Sequence, residues 1–206
     1  RQARLLLQTR LAAGTLDTAA VHAQLKKMFD AAPTSARRLR ALWAMHVTGR
    51  FAGNKSSILV KLLGSSSDEH VRAWAIQLLC EDREPPAGAL KRFAEMAEKD
   101  PSPVVRLYLA AALQRLEFDQ RWPILDALAK HGEDVEDNNI PRMLWFALEP
   151  MVPGNAPKSL KLAVGGKMPR LQEFVARRIA SGNAGGDRPG EPGKVTQKQQ
   201  QTMQQA

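Results

Sequence analysis

The stretch Asp68-Glu69-His70-Val71-Arg72-Ala73-Trp74-Ala75-Ile76-Gln77-Leu78-Leu79 decides how this chain is read. Asp68 suits a helix N-cap, because its carboxylate can accept from N–H groups that the first turn leaves without partners. Val71, Trp74, Ala75, Leu78 and Leu79 follow at helical spacing and make one face apolar. Arg72 stands four residues after the cap. The arrangement returns with Ser102 as cap, Pro103 at the favoured first helical position, Arg106 four residues on, then Tyr108. It returns again with Asn138 as cap, followed by Arg142 and Trp145, and looser copies surround Arg40 and Arg170. Successive arginines are 32, 34, 36 and 28 residues apart. That period, carried by amphipathic helices, predicts an all-α solenoid of about five helical hairpins with the first one truncated. Chance likeness between unrelated helices would not set three caps at one offset from an arginine.

Outward from this stretch, hydrophobic spacing predicts helices at 1–11, Leu16 to Phe29, and one carrying Arg40 and Trp43 that starts at Thr34 or Ser35. A turn over Gly49 to Asn54 precedes a short helix, Ser57 to Leu63. Ala87 to Lys99 reads as a helix, and the Ser102 helix runs to about Leu116. Pro123 is placed to open a helix, Ile124 to Lys130. Lys158 to Val164 and Pro169 to Ser181 complete the array. Residues 1–181 form the predicted solenoid, and 182–206 form a tail. Seven of the twelve residues from Gly182 to Gly193 are Gly or Pro, and six of the last ten are glutamine, a composition that predicts disorder. The chain opens on Arg1 inside a helical pattern and without Met, so we expect a segment of a longer protein, from which no compartment can be read.

Few residues suggest chemistry. The histidines His22, His46, His70 and His131 share no metal-binding spacing, and Cys80 has mostly acidic neighbours that oppose a thiolate. The acidic loop Glu133-Asp134-Val135-Glu136-Asp137 lacks EF-hand spacing. No phosphate-binding Gly-rich loop, Gly-x-Ser-x-Gly or Cys-x-x-Cys-His occurs. We therefore expect no catalytic, cofactor or metal site in this segment. No apolar run is long enough to span a membrane.

Net charge is +9, with the ends basic (+7 over 1–50, +6 over 151–206) and the middle mildly acidic. A nucleic-acid-binding solenoid more often carries a continuous basic stripe, so a protein partner is the expectation. The densest basic patch, Lys26, Lys27, Arg37, Arg38 and Arg40, is the candidate partner surface. The repeat positions Asp68, Arg72, Trp74, Ser102, Arg106, Tyr108, Asn138, Arg142 and Trp145 are expected to be structural. Each arginine would bridge to an acid or carbonyl of the next hairpin, and each aromatic would seal one hairpin on another.

The pattern of cap, apolar residue, arginine and Ala/aromatic-rich helix resembles the HEAT repeat family. More specifically, Leu42-Trp43-Ala44-Met45-His46, the Asp68 stretch, Asp100-Pro101-Ser102-Pro103-Val104-Val105-Arg106, Arg121-Trp122-Pro123-Ile124-Leu125 and Leu144-Trp145-Phe146-Ala147-Leu148-Glu149-Pro150 look like the helical-repeat region of large exported bacterial haem-binding proteins. Those proteins join a membrane-bound-dehydrogenase-type β-propeller, a HEAT region and a c-type cytochrome domain. The resemblance covers about residues 1–181. It implies a non-catalytic scaffold in a periplasmic electron-transfer protein, with haem c elsewhere in the parent and neighbouring redox domains as partners. The competing readings are a basic solenoid that binds nucleic acid and a HEAT-fold enzyme of glycosylase or lyase type.

Overall fold

The computed structural model describes residues 2–52 and 55–184. The described chain is helical, with no strand: α1 (Gln2–Ala12), α2 (Thr18–Asp30), α3 (Ser35–Val47), α4 (Lys55–Ser65), α5 (Glu69–Leu79), α6 (Ala87–Lys99), α7 (Pro103–Ala112), α8 (Phe118–Leu128), α9 (Ile140–Leu148), α10 (Ala156–Gly165) and α11 (Pro169–Ala184). Local chemistry sets these limits. Asp17, Thr34, Asp68 and Ser102 each accept a first-turn backbone N–H and so start α2, α3, α5 and α7. Gly14 and Gly49, at φ +67° and +79°, end α1 and α3 in the left-handed conformation that glycine adopts without steric cost.

Each even-numbered helix packs on the odd-numbered helix that follows it, giving five hairpins. The odd helices α1, α3, α5, α7, α9 and α11 also pack in succession, as do α4, α6 and α8. The result is a helical solenoid of five complete hairpins, with α1 lying on α3 at one end. Its buried apolar residues run as one cluster from Leu25 to Val175, drawn from successive hairpins. Leu42, Ile76, Ala110 and Leu144 lie 34 residues apart, all with no measurable exposure. One contact is thus repeated at each step, and neither helix of a hairpin could bury it without the next pair.

Two expectations need correction. Pro123 does not open a helix; it lies inside α8, which starts at Phe118. Gln120 reaches back to accept the Glu117 N–H at 3.1 Å, fixing the start a turn and more earlier. Pro123 is exposed, where the missing backbone bond is tolerated. Asn138 does not cap α9. Asp137 does, accepting from Asn139 N–H at 2.7 Å and Ile140 N–H at 2.8 Å. An ionised carboxylate at this place also suits the helix dipole. The last helix runs to Ala184, past the expected boundary at 181, and the rest of the expected tail lies outside the described residues.

Candidate functional site

Three arginines tie the hairpins together. Arg38, Arg72 and Arg106 lie 34 residues apart, each four after its cap. Each guanidinium donates to a carbonyl six residues upstream: Arg38 to Ala32 (3.2 Å), Arg72 to Ser66 (3.1 Å), Arg106 to Asp100 (3.2 Å). It also donates to an aspartate of the following segment. Arg38 reaches Asp68 through one bond of 3.0 Å. Arg72 holds Asp100 through two of 2.8 Å, and Arg106 holds Asp134 through bonds of 2.6 and 2.7 Å. The two-pronged pairs match the planar guanidinium to the planar carboxylate, so they fix direction as well as distance.

Burial grades along the ladder. The arginine and aspartate side chains are 28% and 6% exposed in the first pair, 12% and 7% in the second, 4% and 3% in the third. Desolvation would raise the Asp68 carboxyl. Bonds from the Ser35 hydroxyl and the Val71 and His70 N–H groups, with the Arg38 charge, outweigh it and hold Asp68 below the ordinary carboxylate range. The hydrogen bond to Asp134 raises Arg106 further above its usual value, against the opposing effect of burial. Ser102 caps α7 and also donates to Glu69, adding a polar link between α5 and α7.

The strict 34-residue step places the other predicted arginines outside the ladder. Arg40 is exposed, two residues out of register with Arg38. Arg142 is likewise exposed and two residues out of register. The position 34 after Arg106 is Ile140, fully buried. An apolar contact there replaces the ion pair. Arg170 is exposed as well.

A row of aromatics crosses the odd-numbered helices. The Arg4 guanidinium lies 5.3 Å from the centre of the Trp43 ring. Trp43 meets Trp74 edge-on at 4.8 Å, and Trp74 meets Tyr108 at 6.2 Å. Further along, Trp145 of α9 lies 5.3 Å from Phe174 of α11, beside the exposed Phe146. Trp43, Trp74, Tyr108 and Trp145 are partly buried and pack against the core, and the Trp43 Nε1 is out of water without a hydrogen-bond partner among the described residues. Such contacts add roughly 0.5–1.5 kcal/mol per pair beyond burial.

The basic patch divides in the structure. Arg37 and Arg40 are exposed on α3, and Arg38 is committed to the ladder. Lys26 pairs with Asp30 on α2, and Lys27 is exposed beside it. Sequence reasoning missed Arg121. It is buried, donates to the carbonyls of Leu116 and Ala147 (both 2.9 Å), and lies 4.8 Å from the centre of the Phe118 ring. It thereby satisfies the Leu116 carbonyl in the segment between α7 and α8 and the Ala147 carbonyl in the last turn of α9, where a cation is favoured.

The histidines are dispersed. His22 bonds Thr48, His46 pairs with Glu81 at 2.8 Å, and His131 lies between Glu133 and the Ala97 carbonyl. Burial pushes the Cys80 thiol up to about 12. Among the described residues no helix is long and apolar enough to cross a membrane, and no three His, Cys, Asp or Glu side chains converge at metal-binding separation. No family model, curated protein or solved structure matches this chain.

Proposed function

We propose that the chain is a HEAT-type scaffold that docks a protein partner along its odd-numbered helices. The observation that carries this reading is the row Arg4–Trp43–Trp74–Tyr108, whose aromatic members stand on α3, α5 and α7, helices linked by the single-bonded Arg38–Asp68 and the two-pronged Arg72–Asp100 pairs. Trp, Tyr and Arg are the side chains that dominate protein interfaces, and a pre-set backing spares the ordering entropy of binding. The resemblance adds a setting. The partner would be the redox machinery of an exported dehydrogenase–cytochrome protein, with haem c carried by another of its domains and chemistry performed outside this segment.

Two measurements test the reading. The gene read outward from this segment is expected to encode a β-propeller and a Cys-x-x-Cys-His motif; an open frame with neither overturns the redox setting. Calorimetric titration of this chain with the cytochrome domain so encoded is expected to show binding that Trp74→Ala weakens by about tenfold or more, as central aromatic anchors do. Equal affinity of the two forms overturns docking on the aromatic row. Retardation of DNA by this chain, falling steeply with salt, would support the nucleic-acid reading in its place.

A further inference from the structure

The even-numbered row has an opening. α4 packs on α6 and α6 on α8, whereas α2 and α4 do not pack closely. Between them lies a groove of about 710 Å³ over the outer side of α3. From Ser57 to Ser66 it follows α4 for about 14 Å, or between two and three helical turns. The row separates again between α8 and α10, where a smaller groove of about 340 Å³ remains and the Lys158 ammonium lies over the Trp122 ring at 4.1 Å.

The walls of the open groove combine two chemistries. Phe29 from α2 and Ile58 and Leu62 from α4 line it with apolar surface. Lys26, Arg38, Arg50 and Lys61 border it, against the single acid Asp30. Lys26 is paired with Asp30 and Arg38 with Asp68, while Arg50 is exposed and has no acidic partner among the described residues. We infer that this groove docks an acidic amphipathic helix of a partner protein, its apolar stripe against Phe29, Ile58 and Leu62 and its carboxylates facing Arg50. An apolar groove running along a helix is the seat of helix-in-groove docking, and the border charge selects an acidic partner. Residues 185–206 of this chain, with three basic and two acidic residues, lack that charge, and a second copy at net +9 would be repelled.

The inference rests on the scaffold reading but uses another face, so Trp74→Ala separates the two. The probe is a fluorescein-labelled synthetic helix of about four turns, leucine at i, i+3, i+4 and i+7 and glutamate elsewhere, followed by anisotropy. The control peptide has the same composition, with its leucines redistributed around the helix. We expect the ordered peptide to bind and the control to bind about tenfold more weakly or not at all. Arg50→Glu, at an exposed position, and Ile58→Asp are each expected to weaken binding by about tenfold, with Arg142→Glu and Trp74→Ala without effect. Circular dichroism establishes that each variant is folded; if Ile58→Asp is not, Arg50→Glu decides. Equal binding of the two peptides, or indifference to Arg50→Glu, overturns the inference. So does oleate or oligothymidylate binding with the same Arg50 dependence when the peptide does not bind.

Discussion

The Arg106 guanidinium and the Asp134 carboxylate face each other through parallel bonds, Nε to Oδ2 at 2.6 Å and Nη2 to Oδ1 at 2.7 Å, both side chains almost wholly out of water. Removing one partner strands a buried charge, which costs about 3–5 kcal/mol. Arg106→Met should therefore lower unfolding free energy by that amount. Arg38→Met should cost about 1 kcal/mol or less, because Arg38 is 28% exposed and Asp68 keeps its bonds from Ser35, His70 and Val71. Arg72→Met should fall between. Urea titrations give the order, and a costlier loss at Arg38 than at Arg106 would contradict the graded burial.

Asp68 gives the array an acid-sensitive contact. Its folded-state carboxyl lies below the ordinary value of 3.8, so it binds protons less readily when folded than when unfolded. The stability it contributes is fully present above the ordinary carboxylate range and is lost as pH falls through the depressed folded value. Asp68→Asn keeps a capping oxygen but removes the charge facing Arg38. The stability difference between wild type and this variant should shrink as urea midpoints are followed from neutral pH into acid. A difference that widens in acid would refute the assignment.

Gly166 is held by closeness of approach. A Cβ there would come within 2.9 Å of the Ala129 carbonyl oxygen and 3.1 Å of its methyl group. The next N–H, of Lys167, donates to that same carbonyl at 2.8 Å and ties the end of α10 to the end of α8. Gly166→Ala should cost about 1–3 kcal/mol, as overpacking of a fixed backbone does. An unchanged melting temperature would show that the strand of chain can move aside.

Cys80 should be silent to thiol reagents. It is fully buried and its thiol is pushed up to about 12, so at pH 8 it is both neutral and inaccessible. Labelling by a disulfide reagent is expected only at the rate of opening or unfolding, and to become immediate in urea. Rapid labelling of the folded chain would overturn this.

Helix type and hairpin stacking were legible in the sequence because caps and apolar spacing act within one or two turns. The ladder was only partly legible. Allowing the period to drift admitted Arg40 and Arg142, whereas the fixed step of 34 selects Arg38 and Ile140. The acceptors Asp100 and Asp134 carry no local signal, since a loop decides which carboxylate meets the next guanidinium. Arg121 was missed for the same reason: its partners are backbone carbonyls on different elements. The groove beside α4 depends on a separation between α2 and α4, which no residue pattern encodes.

The ladder also makes the molecule editable in length. Donor Arg72 and acceptor Asp100 both lie within residues 69–102, so excising that span would remove a complete ion pair and orphan neither charge. Asp68 would then precede Pro103, four residues ahead of Arg106, in the place Ser102 holds now. Such a splice shortens the array by one tread while keeping the Arg38–Asp68 and Arg106–Asp134 pairs, a route by which arrays of this build can be lengthened or trimmed by recombination.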